Sequence, residues 1–210
     1  MAQIIKFPGL ASKFGYTRVK RRRKSAENPD QLQLFALATA KILDLGLAAS
    51  SFEQALMLDE REDSKATEMY VRAIDENDCV ADAYCNLGIL QSKHGETAQA
   101  FDSFTKSLAQ NPRHFEAHYN LGNLYSNVED HRLAQVHYQI AAEIDPLFAN
   151  VFFNLALVQA INNDLSGAVT SLTTYQNLVS MEEGQDSNDL LESLKKSLAA
   201  SKSAQSGSAR

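Results

Sequence analysis

His114, Glu116 and His118 are the residues best spaced for metal chemistry, in the run H-F-E-A-H. Histidines four apart share one face of a helix, and neutral imidazoles ligate zinc. Zinc hydrolases use H-E-x-x-H or H-x-x-E-H, and this run is neither. The three therefore read as packing and loop residues, and no metal is expected. Cys79 and Cys85 lack the C-x-x-C spacing of a zinc or redox pair and give no disulfide framework, which points to a reducing cytoplasm. The serine-rich stretches form no nucleophile elbow, and no glycine loop is built to cradle phosphate. The expectation is a chain with no catalytic residues and no cofactor.

A different chemistry recurs at a fixed step. Asn86, Asn120 and Asn154 are each 34 residues apart (120 − 86, 154 − 120), in the contexts Y-C-N-L-G, H-Y-N-L-G and F-F-N-L-A. A carboxamide offers both a donor and an acceptor, so it can pair with a peptide backbone without reading side chains. Equivalent positions in stacked units would set the three as a ladder. The competing reading is that they satisfy local groups.

The units that would carry this ladder repeat throughout. Ala66, Ala100, Ala134 and Ala168 keep the same step, as do Tyr70, Phe104, Tyr138 and Leu172, and Pro112 and Pro146 close two of the units. Tyr84, Leu87 and Gln91 fall on one helical face, and Gly88 and Gly122 stand where two helices should approach closely. A period of this length marks a stacked array, in which each unit buries its apolar stripe only against its neighbours.

These residues resemble the tetratricopeptide repeat family, over about two-thirds of the chain. The resemblance implies an all-α solenoid of helix–turn–helix repeats. The array would run over 47–180, as a degenerate repeat at 47–80 and clear ones at 81–114, 115–148 and 149–180. The first repeat lacks the small residue in register, seems to fall short by a residue or two in its first half, and has Asp78 in place of the proline. A helix at 186–200, with Leu190, Leu191, Leu194 and Leu198 on one face, is expected to cap the last repeat, leaving 201–210 disordered.

In this family the first helices line a concave face, and the resemblance puts the asparagines there. Asp82, Glu116, Tyr119, Asn123 and Phe153 would be their neighbours, giving a groove acidic toward the first repeat and apolar toward the last. It suits a peptide or protein partner with basic and apolar side chains, or this chain's own N-terminal arm. A similar asparagine ladder holds substrate peptides in the repeats of the sugar transferase that modifies serines and threonines. The chaperone-binding subfamily instead grips a carboxylate with cations. Cys85, Asn120, Asn150 and Asn154 hold those positions here, so chaperone tails are not expected.

The net charge of −6 is unevenly placed. Residues 1–24 hold eight Lys and Arg and no acid, so the remainder carries 12 basic and 26 acidic residues, a net of −14. The run Lys20, Arg21, Arg22, Arg23, Lys24 repels itself, so residues 1–46 read as a basic, disordered arm and linker. Such an arm is either a solvated tail or a phosphate-binding one for nucleic acid or an anionic surface. No run is long enough to span a membrane, and the N-terminus lacks a secretory pattern.

Gln31, Leu32, Gln33, Leu34 and Phe35 resemble the short motif by which bacterial proteins dock on the DNA sliding clamp. The resemblance implies an extended anchor, with Gln31 in a polar pocket and Leu32, Leu34 and Phe35 in apolar ones. The alternative is a short helix over 30–45, capped by Asp30, with Leu34 and Phe35 on its buried stripe. The first reading makes the chain a DNA-associated accessory factor; the second makes it a plain interaction scaffold.

Overall fold

In the computed structural model, which describes residues 15–20 and 49–207, every regular element is a helix. In chain order these are α1 (Ser51–Glu60), α2 (Ala66–Asp75), α3 (Val80–Lys93), α4 (Thr97–Gln110) and α5 (Phe115–Asn127). There follow α6 (His131–Ile144), α7 (Ala149–Ile161), α8 (Leu165–Leu178), α9 (Met181–Gln185) and α10 (Asn188–Gly207). Helices pair as α1–α2, α3–α4, α5–α6 and α7–α8. The pairs stack through α2–α3, α4–α5 and α6–α7, and α10 closes on α8. The chain is an all-α solenoid.

The recurring residues form the contacts within each pair. Tyr70, Phe104, Tyr138 and Leu172 are all 0% exposed, and Ala66, Ala100, Ala134 and Ala168 are at most 1% exposed. Phe104 and Tyr138 lie directly against the glycines of the preceding helix. A Cβ on Gly88 would stand 2.9 Å from the Phe104 ring, and one on Gly122 would stand 2.5 Å from the Tyr138 ring. Those distances are well inside van der Waals contact, so the helix faces meet only because no side chain intervenes.

Turns repeat as closely as cores. The turn inside each pair ends on a left-handed residue: Glu62 (φ 57), Gly95 (φ 79), Glu129 (φ 63) and Asn163 (φ 64). Gly95 adopts this conformation without the Cβ clash its three counterparts bear. From Gly95 onward the step is 34 residues; from Glu62 to Gly95 it is 33 (95 − 62), so the first unit is one residue short. Asp130 and Asp164 then cap α6 and α8, accepting from the amides of Leu133 and Gly167 at 3.1 and 2.9 Å. In the first unit Ser50 and Glu53 form a capping box on α1. Asp78 stands one repeat before Pro112 and accepts from the Phe52 amide at 2.7 Å, a bond to the start of α1 that proline could not make.

Two stretches depart from the sequence expectation. The last helix starts at Asn188 and continues to Gly207, through much of the tail expected to be disordered. Alanine, lysine and glutamine favour helix, and the hydroxyls of Ser201 and Ser203 donate to the carbonyls of Leu198 and Ala200. Leu190, Leu191 and Leu194 are buried against Phe153, Leu172 and Tyr175 at the end of the array. In the arm, Gly15–Lys20 is ordered, non-helical chain packed on the array.

Candidate peptide-binding groove

Gly15–Lys20 lies along α3 and α5, the first helices of the second and third repeats. Asn86 on α3 pairs with both backbone groups of Val19: its Oδ1 accepts from the Val19 amide at 3.0 Å, and its Nδ2 donates to the Val19 carbonyl at 3.2 Å. Asn120 on α5 makes the same pair with Thr17, at 2.8 and 2.9 Å. Asn123, one turn further along α5, donates from Nδ2 to the Gly15 carbonyl at 3.1 Å. The N–H and C=O of one extended residue point to the same side, so a single carboxamide meets both. One repeat along the array corresponds to two residues along the segment, which runs in the opposite direction.

Side chains of the segment meet distinct partners. Val19 is 2% exposed, in a cluster with Cys85, Ile89, Ala100, Phe104, Ala117, Leu121 and Leu124. The Tyr16 ring stacks on Phe104 with centroids 6.5 Å apart and planes 16° apart, and its hydroxyl bonds Ser92 and accepts from Asn127 Nδ2. Arg18 reaches Asp59 on α1 at 2.6 Å. That carboxylate is 2% exposed and also accepts from the Tyr70 hydroxyl at 3.2 Å. Burial and the Asp59 charge push the Tyr70 phenol upward, so it stays a donor. Glu62 and Asp63 line the same depression as Arg18 and Asp59, together with Lys93 and His94.

The third asparagine stands apart from this ladder. Asn154 is 0% exposed, and its Nδ2 donates to the Tyr119 hydroxyl and to Asn123 Oδ1, each at 3.2 Å. The Tyr138 hydroxyl donates to the same Asn123 oxygen at 2.6 Å. Asn154 therefore supports Asn123 from behind. Tyr119 and Phe153, expected to line the groove, are 1% and 0% exposed and belong to the core. Tyr119 packs on Phe115, Tyr138 and Phe148, and Phe153 on Tyr175. Burial pushes the Tyr119 phenol up to about 12. The expected apolar end of the groove is thus interior to the stack, because the large side chains turn into the next repeat.

Asp82 and Glu116 meet at His114. The His114 Nε2 lies 2.8 Å from Asp82 Oδ1, while its Nδ1 accepts from the Ala117 amide at 3.2 Å and caps α5. Nε2 therefore carries the proton and donates to Asp82. Glu116 Oε2 lies 3.4 Å from Nδ1. His118 faces His137 instead, with Nδ1 atoms 3.0 Å apart, and its Nε2 donates to the Pro112 carbonyl at 3.1 Å. Among the described residues, no group of three metal-ligating side chains converges. Burial pushes the Cys85 thiol well above its ordinary range, so it packs as an apolar group.

Lys20 is exposed at the end of the ordered segment. Arg21, Arg22, Arg23 and Lys24, and the Gln31, Leu32, Leu34 and Phe35 motif, lie outside the described residues. No helix among the described residues is long and apolar enough to cross a membrane. Sequence reading missed Asp59, Ser92 and Asn127 as groove residues. Only Asp59 carried a signal: an acid on the degenerate first helix, at a point expected to face the core.

A family model described as tetratricopeptide repeat matches residues 103–136. The chain is similar to anaphase-promoting complex subunit 3 of Schizosaccharomyces pombe, 36% identical over 87 residues, or 41% of this chain and 13% of that subunit. The solved structure of YrrB, described as a TPR protein with an unusual peptide-binding site, matches with a TM-score of 0.55 and 22% identity. That match covers 61% of this chain and 66% of YrrB, so the chain spans less than two-thirds of either protein. At that identity the likeness to YrrB carries the fold alone. The 34-residue step, the buried alanine and aromatic positions and these likenesses together place the chain in the tetratricopeptide repeat family.

Proposed function

We propose that the chain is a non-catalytic protein–protein interaction module whose concave face holds an extended peptide of a partner protein. One observation carries this reading: Asn86 and Asn120 each pair with the N–H and C=O of one residue in Gly15–Lys20. The segment shows what the groove holds, and the carboxamide pairs are indifferent to the side chains of the residues they grip. Asn86 and Asn120 are fixed on packed helices, so little ordering cost attaches to binding.

The test uses the full chain with Tyr16→Ala, Arg18→Ala and Val19→Ala together, which weakens the internal occupant. A labelled peptide of sequence Gly-Tyr-Thr-Arg-Val-Lys is titrated by fluorescence anisotropy. Adding Asn86→Ala and Asn120→Ala removes four hydrogen bonds, each worth ~0.5–1.5 kcal/mol net, so affinity should fall by at least tenfold. Unchanged affinity would remove the carboxamides from the site. Binding by neither protein, with helicity intact, would refute the reading.

A further inference from the structure

Resting on that reading, we infer that the groove also reads sequence. Its ligand is an extended peptide bearing an aromatic residue, any residue, an arginine and an aliphatic residue in succession. Tyr16-Thr17-Arg18-Val19 is an internal copy of that pattern, and a partner carrying the pattern displaces it.

Three side-chain subsites support this, each built from a different repeat or pair of repeats. Asp59 supplies the cation subsite. It is a carboxylate with 2% exposure whose only cationic partner among the described residues is Arg18, at 2.6 Å. A buried carboxylate is costly without a cation, so an occupant lacking one leaves that cost uncompensated. The planar guanidinium also suits this site better than a lysine, whose ammonium is more strongly hydrated. Val19 fills the aliphatic subsite, sealed between Cys85, Ile89 and Leu121. Its buried backbone is fully paired by Asn86, so side chain and backbone register together. Tyr16 occupies the aromatic subsite, where Phe104 takes the ring while Ser92 and Asn127 take the hydroxyl. Thr17 lies between them, held through its backbone by Asn120. No interaction of its side chain contributes to the pattern, which makes this position the permissive one.

Covalent attachment makes the internal copy a competitor. Residues 21–48 join the segment to the first helix, and an occupant tethered by a short linker competes at an effective concentration up to ~1 mM. A free peptide of micromolar intrinsic affinity would then bind the native chain up to ~1000-fold more weakly than a chain with the internal copy disabled.

Peptide titrations on two full-length proteins test this: the native chain and the Tyr16→Ala, Arg18→Ala, Val19→Ala chain. Gly-Tyr-Thr-Arg-Val-Lys should bind the substituted chain at least tenfold tighter than the native one. Replacing tyrosine, arginine or valine in the peptide by alanine should each weaken binding at least tenfold; replacing threonine should change it less than threefold. Circular dichroism checks that the substituted chain keeps its helices. An Arg18→Ala chain serves as a milder second host in which Val19 still fills its subsite. There the native peptide should outcompete one with arginine replaced by alanine. Equal binding of all peptides would overturn sequence reading while leaving the backbone-binding proposal intact. Equal affinity for native and substituted chains would overturn the internal competition. Concentration-dependent dimerisation of the native chain, lost in the substituted one, would show that a second copy fills the groove and would also overturn it.

Discussion

Gly122→Ala is the substitution whose outcome the structure fixes most sharply. Two effects oppose. Alanine is a better helix former than glycine by ~1 kcal/mol, which favours the variant in the middle of α5. Against this, the new Cβ would stand 2.5, 2.6 and 3.0 Å from three carbons of the Tyr138 ring. Real Cβ atoms do not approach so closely, so the ring or a helix must move. The Tyr138 ring is 0% exposed and pinned at its far end by the 2.6 Å bond to Asn123. Overpacking of a filled core costs ~1–3 kcal/mol and more where nothing yields, so the clash outweighs the propensity gain. The expected net is a loss of ~1–3 kcal/mol, or a fall in Tm of roughly 2–10 °C for a chain of this size. Displacing Tyr138 also disturbs Asn123, whose amide holds the Gly15 carbonyl, so amide exchange in Gly15–Lys20 should quicken as well. Gly184→Ala is the control, since its new Cβ would meet nothing nearer than 3.6 Å. That variant should gain ~0.4–1 kcal/mol. Thermal unfolding followed by circular dichroism reads both. If Gly122→Ala unfolds at or above the native temperature, the pinning of Tyr138 is wrong.

Two further outcomes follow from packing and charge. Burial, and to a lesser degree the charge of His118, lower the His137 imidazole from about 6.5 to about 4, and burial also lowers His118. Both folded-state values lie below the unfolded one, so the unfolded chain binds more protons between about pH 6.5 and 4. Stability should fall as pH drops through that window, by ~1–3 kcal/mol for a shift of this size in a half-buried pair. Urea midpoints at pH 7.5 and 5 should show the loss, and His137→Phe should flatten it; an equal loss in that variant would clear the pair of responsibility. Leu121→Ala, at a position 2% exposed between Val19 and Phe104, should cost ~2–5 kcal/mol and loosen the segment together with the array. Retention of full amide protection at Val19 in that variant would show that the aliphatic subsite is built elsewhere.

The repeat was legible because its physics is local and periodic. Each unit needs an alanine or glycine where helices touch and a large apolar side chain opposite, and a step of 34 residues displays both without knowledge of the fold. Ala100, Phe104, Gly122 and Tyr138 could be assigned their contacts from spacing alone. The asparagine positions were legible for the same reason, since a register position fixes a place on the helix.

What a side chain at that place touches was decided by tertiary structure. Asn86, Asn120 and Asn154 share one register, yet two grip the backbone of Gly15–Lys20 and the third bonds Tyr119 and Asn123 in the interior. The difference lies in neighbours 30 or more residues away, which no local pattern encodes. The same holds for Asp59, a carboxylate on a degenerate helix whose burial depends on Tyr70 and on Arg18 arriving from the far end of the chain. Composition showed a basic arm and an acidic body. Only packing placed Arg18 beside Asp59 and Val19 in the core, because a segment of six residues has too few local contacts to choose a conformation until a groove supplies them.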